Sequence, residues 1–329
     1  MSSTKSFNLI LIFIFLAGTC FACTPPQSTK VELTPVTVQL KWTHDAQFSG
    51  LYTADQKGYF AEEGLAVTFL PGGVNVDPIS AVLDGKAQFG IAGATELIAL
   101  RAQGKPARAI ATIFRRNPTV FFALAGTGII RPQDFVGKKI RSVSDQPLVL
   151  HAMTAHVGIA PDQYTEVDLP SDVALFTSGE VPVWGAYITA LVLVVQRAGY
   201  EVNIISPDDY GVHFYGDTLY TTDDFIANHP DLTLRFLRAA LKGWIYAIEN
   251  PTEVGQMVVK YNPDGNAELE NAKMAAGLPL INTGEDHIGW MKPDVWTDME
   301  QTMSNEGVLA SRLDVTQVYT MQFLDQIYK

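Results

Sequence analysis

Short apolar strands alternate with helical segments in two stretches of this chain, and that rhythm constrains the fold more than any other feature. Val36-Thr37-Val38-Gln39-Leu40 alternates as a strand does. Residues 46–57 then place Phe48, Leu51 and Tyr52 at helical spacing and stop at Gly58. A strand at 67–70 ends at Pro71-Gly72-Gly73, and a helix at 78–84, a strand at 88–92 and a helix at 95–103 follow. The same order returns as a strand at 139–143, a helix at 147–157, a strand at 181–187, a helix at 190–198 and a strand at 201–205. Strands joined through helices need crossover connections, which build mostly parallel sheets covered by helices. Beyond residue 222 the pattern is helical, with Pro230, Pro251, Pro263, Pro279 and Pro293 marking breaks. The expected fold is therefore α/β and two-lobed, each lobe a mostly parallel sheet flanked by helices, with a helical C-terminal part. One lobe would take residues 36–116 and 214–329, the other residues 117–213. The two crossings, at Asn117-Pro118-Thr119 and His213-Phe214-Tyr215, would form a hinge.

The first 35 residues have a different character. Lys5 is the only charged residue before Lys30; an apolar run at 9–16 leads into Ala17-Gly18-Thr19-Cys20-Phe21-Ala22-Cys23. A basic start, a short apolar core and a small-residue exit make a secretory signal over residues 1–22. The run falls well short of the ~20 residues that span a bilayer, and no later stretch is long and apolar enough to do so. Cys20 and Cys23 are the only cysteines. Their spacing suits a redox or metal pair, but no second pair exists and no folded domain surrounds them. Cleavage after Ala22 would leave Cys23 first and lipidated, with residues 23–35 as a tether. Cys20 stands where such signals usually carry leucine, so plain secretion is the alternative. Removing residues 1–22 takes away one of 23 basic residues, and the formal net charge moves from −12 to −13. That acidity argues against nucleic acid, and against any membrane contact except through the lipid.

Three segments carry a family likeness. The first is Gln39-Leu40-Lys41-Trp42-Thr43-His44-Asp45-Ala46-Gln47-Phe48-Ser49-Gly50-Leu51-Tyr52, running into Lys57-Gly58-Tyr59-Phe60. The second is Ala87-Gln88-Phe89-Gly90-Ile91-Ala92-Gly93-Ala94-Thr95-Glu96. The third is Asp209-Tyr210-Gly211-Val212-His213-Phe214-Tyr215-Gly216-Asp217, with Phe236-Leu237-Arg238 and Gly243-Trp244 behind it. Together they resemble the thiamine-pyrimidine and alkanesulfonate group of periplasmic substrate-binding proteins, and most closely its vitamin-type members, including riboflavin-binding lipoproteins. The resemblance implies a periplasmic binding protein fold, no cofactor, and a place on the extracytoplasmic face of the cell membrane. It also implies a small-molecule ligand handed to an ABC permease and its ATPase. Riboflavin is the first expectation for that ligand. A thiamine-type aminopyrimidine is the second and an alkanesulfonate-type anion the third.

The residues at these places suit a flat ligand. Trp42 follows the first strand, where a doubly wound sheet opens its ligand crevice, and would stack on a ring or pack beneath the first helix. Gln47 would bond a ring edge or sit in solvent. Thr95 reads as an N-cap with Glu96 in the first turn, and Glu96 opposes an anion at that helix start. Asp145, between a strand and a helix, would accept from a ring imide or cap the helix. Trp184, Tyr187, Tyr210, Phe214 and Tyr215 would supply aromatic walls. Arg115 and Arg116 are the residues that would serve an anion instead. Catalysis has little support: G-x-S-x-G, H-E-x-x-H and the phosphate-binding P-loop pattern are absent. His151 and His156 lie on different faces of one helix, so no metal site is expected. His44 belongs to the first segment. In the similar yeast-type pyrimidine synthases a histidine is consumed as substrate, but their cysteine-rich motif is absent, which leaves an enzyme as the remote alternative.

Anchoring requires the thiol of Cys23. Cys23→Ala should therefore move the protein from the detergent phase to the aqueous phase in a phase-partition assay, and identical partitioning of mutant and parent would refute the lipid anchor.

Overall fold

In the computed structural model, which describes Met1 and residues 32–73 and 76–329, ten strands form two five-stranded sheets. The export signal expected from the sequence (apart from Met1), Cys20, Cys23 and the expected tether as far as residue 31 lie outside the described residues. The first sheet contains β1 (Thr34–Gln39), β2 (Leu65–Leu70), β3 (Phe89–Gly93), β4 (Ala107–Thr112) and β10 (Asp217–Thr222). The second contains β5 (Thr119–Leu124), β6 (Lys139–Arg141), β7 (Thr165–Val167), β8 (Val183–Tyr187) and β9 (Val202–Ile205). Their orders are β2-β1-β3-β10-β4 and β7-β6-β8-β5-β9. In each sheet one strand runs against its neighbours: β10 between β3 and β4, and β5 between β8 and β9. Each of these two strands is the one that arrives from the other sheet. The chain thus passes between the sheets twice, through 113–118 and 206–216, and the two passages lie side by side. Gly216 N–H donates to the Phe114 carbonyl at 2.8 Å, and Ile113 N–H to that of Asp217 at 2.8 Å.

Four strands do not stand out in the sequence, for different reasons. β5 is an unbroken apolar run, Thr-Val-Phe-Phe-Ala-Leu, with no alternation, and β7 has only three residues. β4 is built of small residues around Arg108. β10 (Asp-Thr-Leu-Tyr-Thr-Thr) looks polar, yet Thr218 and Thr221 are fully buried. Thr218 Oγ1 bonds Thr112 Oγ1 and the Gly216 carbonyl, and Thr221 Oγ1 donates to the Gln88 carbonyl at 2.6 Å. Satisfied hydroxyls of this kind bury at little cost.

The helices that bear on the site are α1 (Ser49–Gln56), α2 (Ala94–Ala102), α3 (Gln146–His156), α4 (Leu191–Arg197), α5 (Pro230–Glu249), α6 (Ala267–Ile281) and α7 (Pro293–Asn305). Pro230 and Pro293 open helices at the first position, where a missing N–H costs nothing. Pro279 lies inside the last turn of α6 instead of ending it. Among the described residues no helix is long and apolar enough to cross a membrane.

α1 and α5 pack backbone to backbone. A Cβ on Gly243 would lie 2.1 Å from the Gly50 carbonyl oxygen, and one on Gly50 would meet the Trp244 ring at 2.1 Å. Because α1 follows directly on the segment that carries Trp42, this contact fixes one wall of the cleft. Gly243→Ala should lower stability by about 2 kcal/mol or more, since the helices must separate to admit a methyl group. A urea denaturation midpoint equal to the parent's would contradict that packing.

Candidate ligand-binding cleft

In both sheets the parallel strands point their carboxyl ends at the space between the lobes, where open α/β sheets place ligands. The incoming strands β5 and β10 begin there, because they run antiparallel. The register pairs Asp217, first residue of β10, with Gly93, last of β3, and Thr119, first of β5, with Tyr187, last of β8. A cavity of about 220 Å³ opens at this place. The first lobe lends it Lys41, Trp42, Asp45 and Gln47; the second lends it Arg141, Ser144, Asp145 and Tyr187, among others.

A network of charges and hydrogen bonds positions the first wall. Lys41 Nζ lies 3.0 Å from Asp217 Oδ1 and 3.0 Å from the Tyr187 hydroxyl across the cleft. Burial acts to lower the Lys41 pKa, but Asp217, Tyr187 and Asp145 outweigh it and hold the ammonium well above the ordinary lysine range. Tyr187 is shifted strongly upward by burial, with Lys41 pulling the other way. Gln47 Nε2 donates to Asp217 Oδ2. The turn holding Trp42 is pinned from behind: Gly72 N–H donates to the Trp42 carbonyl at 2.9 Å, and a Cβ on Gly72 would strike the Lys41 backbone at 2.4 Å. Asp45 accepts from Gln47 N–H at 2.9 Å and sits 3.6 Å from Lys273. Lys273 is shared with the buried Glu270, which itself accepts from Ala46 N–H at 2.6 Å. α6 thereby clamps the start of the first helical turn.

The opposite wall is the loop after β6. Ser144 adopts φ 59°, the one non-glycine in the left-handed region among the described residues. Strain of this kind persists where surrounding structure enforces it, often at binding sites. Asp145 occupies the N-cap position of α3 but makes no side-chain capping bond. The capping alternative for Asp145 thus does not apply, and its carboxylate borders the cavity.

Of the ten site residues expected from the sequence, Trp42, Gln47, Asp145 and Tyr187 line this cavity. Trp42 is 44% exposed, an indole open to solvent. Gly93, not Thr95, is the N-cap of α2, and Glu96 is the acidic residue of its first turn. Thr95 is buried beside the cavity, its Oγ1 3.8 Å from the position of a Cβ on Gly93. Glu96 reaches solvent, although surrounding protein raises its carboxyl pKa against the pull of Lys41.

The other aromatics are not in the cavity wall. Trp184 is fully buried behind Arg141, whose guanidinium carbon lies 5.3 Å from its ring centre, with its Nε1 donating to the Val181 carbonyl at 2.8 Å and its ring edge-on to Phe176. Tyr215 is buried against Trp296 and its hydroxyl accepts from Lys292 N–H at 2.9 Å. Phe214 borders a separate cavity with His156 and Asp298, and Tyr210 packs against the core with its carbonyl bonded to His156. Of the five aromatic walls expected, only Tyr187 lines the cavity, and the other ring there is Trp42. Arg115 is spent on Asp286 and Thr283, and Arg116 on Glu285 and Asp208. Sequence reasoning does not single out Lys41, Asp45, Arg141 or Asp217. Lys41, Asp45 and Asp217 do stand inside the segments that carry the family likeness, which was the available signal.

Burial pushes the Asp45 carboxyl up to about 6 from an ordinary 3.8, with Lys273 and the Gln47 N–H opposing. A raised acid favours the folded state when protonated, so this contribution is full below pH 3.8 and is lost as pH rises through about 6. Asp45→Asn should remove from the stability profile a decline of at most about 3 kcal/mol across that window. Parallel profiles for parent and mutant, from urea melts at stepped pH, would refute the shift.

The sequence profile of the family described as NMT1/THI5 like matches residues 45–254. The riboflavin-binding protein RibY of Chloroflexus aurantiacus is 24% identical, over 98% of this chain and 99% of that one. The formylaminopyrimidine-binding protein of Halalkalibacterium halodurans is 27% identical, over 95% and 100%. The structure superposes on the periplasmic aliphatic sulphonate-binding protein SsuA of Escherichia coli with a TM-score of 0.70 at 14% identity, covering 87% of this chain and 91% of that one. The fold is that of the periplasmic binding proteins.

Proposed function

The chain belongs to the NMT1/THI5-like family, and from that premise we propose that it is the substrate-binding protein of an ABC importer, capturing a flat heteroaromatic vitamin or precursor. Riboflavin is the first choice and a thiamine-type aminopyrimidine the second. The observation that carries this reading is Trp42: a large ring left open at the cleft mouth, with Tyr187 in the facing wall, in a cavity whose polar groups include Gln47 and Asp145. An exposed ring at the mouth of a cleft with a second ring in the facing wall suits a flat ligand. The full-length similarity to two proteins named for heteroaromatic ligands supports the same class. An alkanesulfonate is disfavoured because Arg115 and Arg116 are already paired and Asp45 and Asp145 border the cavity.

The protein acts by binding and release, without turnover. Residues 36–116 with 214–329 form one lobe and residues 117–213 the other, and the two close on the ligand about their paired crossings. Cys23 carries the lipid that holds it at the extracytoplasmic face of the membrane, beside the permease that receives the ligand.

Native mass spectrometry of freshly purified protein should show a co-purified ring compound. Added riboflavin should lose its isoalloxazine emission stoichiometrically, whereas an aminopyrimidine would perturb only tryptophan. Trp42→Ala should weaken binding by about 1–3 kcal/mol. Tight binding of taurine or nitrate with no response to either ring would overturn the heteroaromatic reading, and conversion of a bound pyrimidine would make the protein an enzyme.

A further inference from the structure

Arg141, the last residue of β6, is 5% exposed and lines the cleft cavity, yet among the described residues no carboxylate lies within 4.0 Å of its guanidinium. Its Nε donates to the Leu169 carbonyl at 2.9 Å, one Nη to the Gly185 carbonyl at 2.7 Å and the other to Ser171 Oγ at 3.1 Å. The guanidinium carbon also lies 5.3 Å from the Trp184 ring centre. These contacts orient the group rigidly but use three of its five N–H donors. Asp168 offsets its charge only from beyond ion-pair distance, and a buried cation so placed is costly unless its remaining donors find acceptors. The cavity borders are where an acceptor can arrive from outside.

The charge of the cavity decides what kind of acceptor that is. Lys41 and Arg141 are its cations, whereas Asp45 and Asp145 border it and Asp217 is bonded to Lys41 behind it. The carboxylates and cations that line it are equal in number, and Lys41 is already committed to Asp217, so no net positive charge draws an anionic ligand. A neutral oxygen acceptor needs none. Asp145, four residues further along the same strand and loop, adds an acceptor to the same wall for a ligand N–H.

We propose that Arg141 is the specificity-determining residue of the second lobe, reading a ring carbonyl, so that the ligand is a cyclic amide or imide whose adjacent N–H goes to Asp145. This rests on the heteroaromatic reading above and narrows it. The dioxo edge of a flavin satisfies both groups, and an aminopyrimidine without a carbonyl satisfies only Asp145.

The test titrates the full chain with riboflavin, its 2-thio and 4-thio analogues, and 4-amino-5-hydroxymethyl-2-methylpyrimidine. The ligand series needs no mutant: sulfur is a poor acceptor, so the unaltered protein should bind at least one thio analogue about tenfold or more weaker than riboflavin, the scale of one hydrogen bond to a charged group. Arg141→Lys, which keeps the charge and loses the planar fork, should weaken riboflavin about tenfold or more and change the aminopyrimidine less than about threefold. Equal affinity for riboflavin and both thio analogues overturns the assignment. So does an Arg141→Lys variant that loses both ligand classes in parallel, the mark of a purely structural arginine, or tighter binding of the aminopyrimidine than of riboflavin by the parent. If the mutant does not fold, the thio series decides. Binding of none of these rings would instead bring down the heteroaromatic reading itself, and this inference with it.

Discussion

β10 cannot bond to β3 and β4 until the chain has returned from the second sheet, and β5 must leave the first sheet before the second can begin. Each lobe is therefore completed by a strand that enters from the side facing the other. Such a strand runs antiparallel to the rest, so its first residue lies level with the last residues of its neighbours. This one topological constraint puts Asp217 beside Gly93 and Thr119 beside Tyr187. It also brings the two passages close enough to share the Gly216–Phe114 and Ile113–Asp217 hydrogen bonds.

The electrostatics of the cleft follow from that placement. Lys41 and Asp217 are far apart in sequence and form a largely dehydrated ion pair because β1 ends where β10 begins. An isolated ammonium there would lose its charge to desolvation; the neighbouring carboxylates reverse the sign of the shift. Buried pairs of this sort are weak sources of stability and strong sources of geometry. Here the geometry reaches across the lobes through the Tyr187 hydroxyl, 3.0 Å from Lys41, and inward through Gln47. Asp45 joins a second network running to Lys273 and Glu270 on α6. The C-terminal helices, remote from the cleft in sequence, thus hold its first wall in position.

Residues whose role is set by the local chain were legible. Trp42 follows a strand that alternates, and the crevice of an α/β sheet lies past its strand ends, so its place was predictable from residues 36–42 alone. Asp145 was placed in the same way by the strand and helix around it, although its choice between capping and the cavity needed the coordinates. The aromatic walls show the limit of that reasoning. Trp184 and Tyr187 are three apart on one strand, an odd number, and so face opposite sides of the sheet. The sequence contains that parity. It does not say that Trp184 is buried among Phe176, Leu191 and Val195 while Tyr187, at the strand's carboxyl end, reaches the cavity, because that depends on the layers packed on the sheet.

The sequence by itself determined the class of fold and the periodicity of most elements, because apolar spacing and glycine or proline stops act over a few residues. It also supplied the segments that carry the family likeness. Only the tertiary structure decided that a threonine-rich segment is a central strand, that Thr95 is buried behind a Gly93 cap, and that Arg141 borders the cavity without a carboxylate. Each of these turns on strand pairing or burial between residues distant in the chain. Hydrogen-bond satisfaction and desolvation are set by those distant partners, and no local pattern encodes them.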